Sequence, residues 1–289
     1  MSKLSFNFMK HSRTALLLSL VCVAASIGLV LFKGLNLGID FTGGNVVQVE
    51  FASPVSVEEV RPVLADIGQG GSVIQAYSDR GIIIRISANE EEARKQTVEA
   101  LRAKYAQLQV IRLEKVGPVV GAELRQEAMI ALILALGGIL IYITVRFQFR
   151  FAVVSVLALI HDAALTLGLF SLTDMEISSS FIAAILTIVG YSLNNTIVIL
   201  DRVRENWKDL RRLGIVELLN ESINQTLSRT INTALTTLLP MIALFLWGGE
   251  VLRGFSLALL AGIIVGTYSS IMVSSGLLAE WWARSPQKV

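Results

Sequence analysis

Long apolar runs separated by short polar loops make up most of this chain. Six runs are long enough for a helix to cross a hydrocarbon core of about 30 Å, which takes about 20 residues. They cover residues 14–33, 125–146, 151–171, 178–200, 229–247 and 252–277. The pattern therefore predicts a polytopic α-helical membrane protein with six transmembrane helices, the last five of which form one membrane domain over 125–277.

One long polar stretch, 34–124, interrupts the apolar runs. Within it apolar and polar residues alternate as in half-buried strands, and Ser56 with Glu59 and Asn89 with Glu92 have the spacing of helix capping boxes. Strands are predicted at 45–51, 72–77, 81–87 and 109–116, and helices at 56–67 and 89–105. The order β-α-β-β-α-β is typical of an α+β ferredoxin-like domain. The stretch contains no histidine or cysteine, so we expect a binding or lever domain, or a structural cap, rather than an active site.

The basic residues predict the orientation of the helices, because short cytoplasmic loops carry an excess of Lys and Arg. They are concentrated on one side of the predicted bundle, in 1–13, 147–150, 201–228 and 278–289. The short loops of the other side contain only Arg253. We therefore expect both termini to be cytoplasmic and the 34–124 domain to be extracytoplasmic. The first run is long for a signal peptide and no clear cleavage site follows it, which favours a retained anchor over a cleaved leader.

Composition agrees with a membrane protein and narrows the classes of function. Hydrophobic residues make up 53% of the 289 residues and charged residues only 17%, which is wrong for a soluble globular domain. The formal net charge is +2 and the basic residues are spread over several loops, so no nucleic-acid partner is expected. The single cysteine, Cys22, has no disulfide partner in the chain and is expected to be a buried thiol.

Ionisable and amide side chains inside the apolar runs are the candidate functional residues, since burial in lipid is costly for them without a partner. Asp162 lies near the middle of the third run beside His161, and it can titrate. Asn195 lies about 9 Å inside the end of the fourth run. Its amide can join helices by hydrogen bonds but cannot carry a proton.

The fifth run begins with a polar stripe formed by Arg229, Thr233 and Thr236, which have helical spacing. We expect this stripe to face inward. The alternative for Arg229 is that its long side chain extends from the helix end to the membrane interface.

Two further patterns concern the same runs. Gly262 and Gly266 are four residues apart, a spacing that lets helices approach closely. Asp162 and Asp201 would be the two carboxylates of an intramembrane aspartyl protease, but Asp201 lies at the membrane edge and the chain has no Gly-x-Gly-Asp motif. No metal site is predicted.

Several long motifs, in order along the chain, resemble the SecF subunits of the SecD/SecF family, which belongs to the bacterial Sec protein-export machinery and is related to the RND transporters. LGIDFTGG (37–44) follows the first run and VGPVVG (116–121) precedes the second. HDAALTLG, GYSLNNTIVILDRVREN, LSRTINTALTT and GFSLALLAGIIVGTYSSI resemble the last four helices of the family. The resemblance covers almost the whole chain from residue 14.

This resemblance implies a non-enzymatic protein of the bacterial cytoplasmic (inner) membrane that helps to couple the proton-motive force to late steps of polypeptide translocation. It implies a separate SecD subunit, with the SecYEG channel, YajC and exported unfolded polypeptide as further partners. No cofactor is implied, and the coupling ion would be the proton or another cation. The implied relay residues are Asn195, Arg229 and Asp162, and the signature after the first helix contains Asp40, Thr42, Gly43 and Gly44.

At position 195 the chain departs from the family, whose SLNDT-type run has Asp where this chain has Asn195. Two interpretations stay open. The protein uses a different coupling, through another ion or through SecD carboxylates alone, or the chain is an engineered Asp-to-Asn variant. Two other functions also stay open: a non-transporting scaffold of the Sec complex, and an RND-type solute or lipid exporter, although such exporters normally have twelve membrane segments.

Overall fold

The computed structural model describes residues 6–86 and 91–284. The chain divides into two compact units. One unit comprises the chain up to Asn36 together with the chain from Ile130 onward, and the other comprises Leu37–Met129. The first unit is helical, and the second combines helices with a small sheet.

Helices dominate the structure. In chain order the elements are α1 Ser12–Phe32, α2 Ile39–Thr42, β1 Gly44–Glu50, α3 Val57–Asp66, β2 Val73–Ser78, β3 Gly81–Ile86, α4 Glu91–Lys104, β4 Gln109–Val116, α5 Pro118–Arg146, α6 Phe149–Thr173, α7 Ser179–Glu205, α8 Leu210–Trp247, α9 Gly249–Tyr268 and α10 Ser274–Arg284. A short 3-10 helix, Asn206–Asp209, joins α7 to α8. A π-helical segment, Ser269–Val273, joins α9 to α10.

Five helical stretches in the described part of the chain are long and apolar enough to cross a membrane, so this is a multi-pass membrane protein. The count differs from the predicted six because the fourth and fifth predicted runs lie in one stretch, Ser179–Trp247, of 69 residues. The polar linker between these runs is itself helical, since α8 begins at Leu210 rather than near residue 229. Only Gly214, with φ 76° and ψ 165°, has a non-helical backbone inside α8.

The two halves of that long stretch pack side by side. Ile199 and Val203 of α7 and Leu218 and Ile223 of α8 belong to one buried cluster. A straight helix of this length would extend about 100 Å, well beyond a hydrocarbon core of about 30 Å. The turn at Asn206–Asp209 instead brings the second half back against the first.

Helix α1 buries small polar residues and exposes large apolar ones. Its buried residues are Ser12, Ser19 and Ser26, at intervals of seven, and Ser19 Oγ lies 3.0 Å from Tyr268 Oη. Cys22 of α1 is exposed, so the expectation of a buried thiol is wrong. Small residues allow close helix contacts, and large apolar side chains facing outward suit a lipid environment.

The second unit contains an antiparallel sheet with the strand order β2-β3-β1-β4. Strand β1 pairs with β3 on one side and with β4 on the other. Val47 and Val49 of β1 and Ile84 of β3 form a buried core with Leu64 of α3 and Leu101 of α4. The two helices therefore cover one face of the sheet.

The predicted strands and helices of this unit occur in the predicted order. The capping box that begins α3 is formed: the backbone N–H of Glu59 donates to Ser56 Oγ at 3.3 Å, and the backbone N–H of Ser56 donates to the Glu59 carboxylate at 3.4 Å. The second predicted capping box begins at Asn89, which lies outside the described residues, as do residues 1–5 and 285–289 of the predicted cytoplasmic termini.

Candidate functional site

A buried carboxylate, Asp162, is the centre of a polar cluster inside the helical unit. It lies midway along α6 and is 1% exposed. Ser192 Oγ of α7 donates to Asp162 Oδ2 at 2.6 Å, and Ser269 Oγ of the π-helical segment donates to the same oxygen at 2.8 Å. His161 Nδ1 lies 2.9 Å from Asp162 Oδ1. Both carboxylate oxygens are therefore engaged, by side chains from three elements.

Close helix packing positions this cluster. A Cβ added at Gly266 would lie 3.0 Å from the Ser192 Cβ and 3.5 Å from Asp162 Oδ2. One turn earlier, a Cβ added at Gly262 would lie 2.3 Å from the side chain of Ile188. Helix α9 therefore approaches α6 and α7 closely at Gly262 and Gly266, and the Ser269 hydroxyl of the segment after α9 reaches the Asp162 carboxylate.

Asn195 is buried one turn beyond Ser192 on α7, with 3% exposure. Its Nδ2 has no hydrogen-bond partner among the described residues. The adjacent Thr196 hydroxyl lies 2.9 Å from the Ser270 hydroxyl, so its neighbourhood is polar. A buried N–H without a partner costs about 1–3 kcal/mol, which makes Asn195 a poorly satisfied residue, in contrast to the well-bonded Asp162.

Arg229 does not join this cluster. It is exposed on α8, and its guanidinium makes no hydrogen bond or ion pair with any described residue. Thr236 is exposed as well, and Thr233 is half-buried. The expectation that this stripe faces inward is wrong. The buried residues in this part of α8 are Thr230 and Ala234. Each directly follows a residue of the stripe and therefore points about 100° away from it on the helix.

The structure separates the two carboxylates of the protease hypothesis. Asp201 forms an ion pair with Arg204 at 3.1 Å, and its side chain is 40% exposed. It lies nine residues after Ser192, the α7 residue that contacts Asp162, and therefore about 13 Å further along the helix axis. Across residues 6–86 and 91–284, no group of three or more His, Cys, Asp and Glu side chains could hold a metal ion.

Ser269 is the functional-site residue that sequence reasoning missed. The π-helical segment that carries it was not predicted either. The available signal was a group of hydroxyls in an otherwise apolar helix: Ser269, Ser270, Ser274 and Ser275 are all buried. Such a group indicates a polar helix contact, but the sequence does not indicate which of the four hydroxyls meets a carboxylate.

The signature residues of the second unit form a turn between α2 and β1. Gly43 and Gly44 have φ values of 70° and 121°, which residues with a Cβ rarely adopt. A Cβ at Gly44 would also lie 2.8 Å from the carbonyl oxygen of Ile86. Thr42 Oγ1 donates to the Gly38 carbonyl at 3.1 Å, and Asp40 is half-buried in the first turn of α2. The backbone of this turn therefore requires the two glycines.

Comparison with known proteins places this arrangement among protein-export membrane proteins. Residues 96–284 match the family model described as protein export membrane protein SecD/SecF, C-terminal, and residues 28–55 match the SecD/SecF GG motif. The protein translocase subunit SecF of Desulfurispirillum indicum is 46% identical over 288 residues, which cover 96% of this chain and 92% of the relative. The SecF subunit of Pseudomonas aeruginosa is 41% identical over 277 residues, covering 95% and 90%.

A solved structure shows the same similarity in three dimensions. The crystal structure of SecDF from Thermus thermophilus, a translocon-associated membrane protein, matches with a TM-score of 0.90 at 46% identity. The match covers 97% of this chain and 39% of the SecDF chain. From the family models, the relatives and this fold together, the chain belongs to the SecD/SecF family of protein export membrane proteins.

Proposed function

We propose that this protein works with a SecD subunit to couple the proton-motive force to late steps of polypeptide translocation by the Sec machinery. The export role rests on the relatives, which are named protein translocase subunits; these names favour protein export over solute or lipid export. The coupling role rests on one observation. Asp162 is a titratable group with 1% exposure, hydrogen-bonded to other helices in the interior of the bundle.

A proton on Asp162 Oδ2 would change its contacts with α7 and with the π-helical segment. As a carboxylate, Asp162 accepts hydrogen bonds from Ser192 and Ser269. When protonated on Oδ2, Asp162 has a donor of its own and a weaker acceptor oxygen, so a serine hydroxyl that now donates to this oxygen can turn to another acceptor. Ser269 Oγ already lies 3.2 Å from the Gly266 carbonyl, which can serve as that acceptor. Protonation would thereby alter how α6 and α7 are joined to the segment after α9.

The proposal also assigns roles to Asn195 and Arg229. Asn195 occupies the place of the family's aspartate and stays neutral, so we assign the titrating role in this chain to Asp162. Arg229 is exposed and unpaired within the described residues. An unpaired arginine on a membrane-spanning helix is costly, and we propose that it faces the SecD subunit and finds its acceptor there.

The topology belongs to the same proposal. Ser179–Trp247 would cross the membrane twice, since its halves pack side by side, giving six crossings. The basic loops favour cytoplasmic termini and an extracytoplasmic second unit in the bacterial inner membrane. The strand order β2-β3-β1-β4, with both helices on one face, supports a ferredoxin-like domain. The SecYEG channel, YajC and unfolded polypeptide are the proposed further partners.

The test compares Asp162→Asn with Asp201→Asn in vesicles that contain this chain, a SecD subunit and the SecYEG channel. Both variants remove one negative charge, but Asp201 lies on an exposed helix end and Asp162 in the interior. We expect Asp162→Asn to abolish export stimulation by the proton-motive force and Asp201→Asn to retain it. Each complex is first checked for assembly by co-purification. Full stimulation with assembled Asp162→Asn would favour the scaffold function instead.

A further inference from the structure

An apolar groove lies on the outside of the helical unit between α1, α6 and α10. Its volume is about 400 Å³. Apolar residues from all three helices line it: Leu16, Val154, Leu157, Leu277 and Trp281. The size is typical of a small-molecule site, and its apolar lining suits a hydrocarbon chain.

Each of the three helices carries an arginine near one end of this groove. Arg13 precedes the lining residues of α1, Arg150 precedes those of α6, and Arg284 follows those of α10. Helix α10 ends on the side where α1 and α6 begin. The three arginines, each on a different helix, therefore lie at the same end of the groove. Arg284 itself lines the groove.

Observed contacts join the arginines across the helices. Arg13 Nε donates to Glu280 Oε1 at 2.6 Å, which links α1 to α10. The Arg150 guanidinium lies 5.7 Å from the centre of the Trp281 ring and 5.1 Å from that of Trp282, which links α6 to α10. The end of the groove is therefore a single cluster of basic and aromatic groups.

The charges of this cluster do not cancel. Glu280 is the one carboxylate that lines the groove, and it is paired with Arg13. Arg284 has no hydrogen bond or ion pair with any residue that the structure describes. The groove thus combines an apolar channel with the positive charge of Arg284 at one end.

We propose that this groove binds an anionic phospholipid. An acyl chain lies along Leu16, Leu157 and Leu277, and the phosphate lies beside Arg284. Guanidinium groups bind phosphate oxygens in a bidentate manner. Assignment to the cytoplasmic leaflet rests on the proposed orientation, where anionic lipids attract basic residues, but lipid binding itself does not depend on it.

Tryptophan fluorescence provides a direct readout. Trp207 packs on Trp282 with ring centres 4.8 Å apart, and Trp281 lines the groove. Trp247→Phe removes the remaining tryptophan of the chain. The full chain with this substitution is placed in phosphatidylcholine vesicles that contain increasing fractions of brominated phosphatidylglycerol or, in parallel, brominated phosphatidylcholine.

We expect brominated phosphatidylglycerol to quench more strongly than brominated phosphatidylcholine at equal mole fraction. Arg284→Gln should lower this headgroup preference about fivefold. The matched control is Arg212→Gln, which removes a 70% exposed arginine that is paired with Asp209 and does not line the groove. The control should keep the preference.

Equal quenching by the two lipids would overturn the proposal and would leave a helix of a partner subunit as the better occupant. Equal loss of preference in Arg212→Gln and Arg284→Gln would also overturn it, since the effect would then reflect general surface charge. The measurement involves neither SecD nor transport, so its failure is separate from failure of the proposed export function.

Discussion

At the scale of single residues, burial distinguishes two adjacent asparagines, Asn194 and Asn195. Asn194 is exposed, whereas Asn195 is 3% exposed and has an unsatisfied Nδ2. Asp162, by contrast, accepts from Ser192 and Ser269 and lies beside His161. The interior therefore holds one well-bonded carboxylate and one amide with an unused donor. A carboxylate at position 195 would place a second titratable group in the same interior.

We predict that Asn195→Asp creates or increases proton flux and export stimulation in vesicles that contain this chain and a SecD subunit. Asn194→Asp is the matched control, because the adjacent side chain points to the outside of the bundle, and it should leave both quantities unchanged. Flux is measured with a pH-sensitive dye trapped in the vesicles. If the unmodified chain already conducts protons as fast as Asn195→Asp, position 195 has no relay role.

At the scale of elements, glycines decide how closely helices and strands approach. Gly262 lies against Ile188, where an added Cβ would come within 2.3 Å of the side chain. Gly190, two residues further along α7, has nothing within 4 Å of the same added atom. In the second unit, Gly44 combines a φ of 121° with a backbone oxygen 2.8 Å from an added Cβ. Glycine is thus required at positions 262 and 44, whereas a larger residue can replace it at position 190.

Gly262→Ala is predicted to destabilise the helical unit by about 1–3 kcal/mol, as expected for overpacking of a close contact. Gly190→Ala is expected to be neutral or stabilising by up to about 1 kcal/mol, because alanine favours helix and meets no neighbour. Unfolding of the purified protein in detergent, followed by temperature or denaturant, compares the two. Equal stability of the variants would contradict the close approach of α9 to α7.

For the signature turn we predict that Gly44→Ala costs about 1–3 kcal/mol through backbone strain and the contact with the Ile86 carbonyl. Gly71→Ala is the control in the same unit, since no atom lies within 4 Å of its added Cβ. Amide hydrogen exchange in the full chain should show lost protection of β1 and β3 in the first variant only. Unchanged protection in Gly44→Ala would argue against a structural role for the second glycine.

At the scale of the whole molecule, the membrane-spanning unit has polar groups inside and large apolar groups outside. Leu239 and Leu246 of α8 are 65% and 59% exposed, which fits contact with lipid or with another apolar helix. Arg229 interrupts this apolar surface on the same helix. The chain covers only 39% of the Thermus thermophilus SecDF chain that it matches. The SecD subunit proposed above, if it packs beside α8, would account for an arginine on the outer surface.

We predict that Arg229→Ala abolishes export stimulation while the complex with SecD still assembles. Arg212→Ala is the control, because it removes an exposed arginine near the start of α8 and should retain stimulation. Co-purification measures assembly, and protein export into vesicles measures function. Full activity of Arg229→Ala would support the alternative in which this side chain only extends to the interface.

The hydrophobic pattern located the apolar parts of the long helices and most of the elements of the second unit, but it did not predict that α8 begins at Leu210. Ser56 and Glu59 formed the predicted capping box, because capping depends on neighbours in sequence. The prediction was wrong where the outcome depended on distant packing. Cys22 was expected inside and lies outside, and the Arg229 stripe was expected to face inward but is mostly exposed. The periodicity of one helix shows that a polar face exists, but not what that face contacts.

By itself the sequence determined the membrane class, the positions of the apolar helices and the family, because length, hydropathy and local motifs are properties of contiguous residues. Only the tertiary structure brought Ser192 and Ser269, 77 positions apart, onto one oxygen of Asp162. It also showed that Asn195 is buried and Arg229 is not. These outcomes depend on which helix faces meet, and helix packing depends on side chains that are far apart in the sequence.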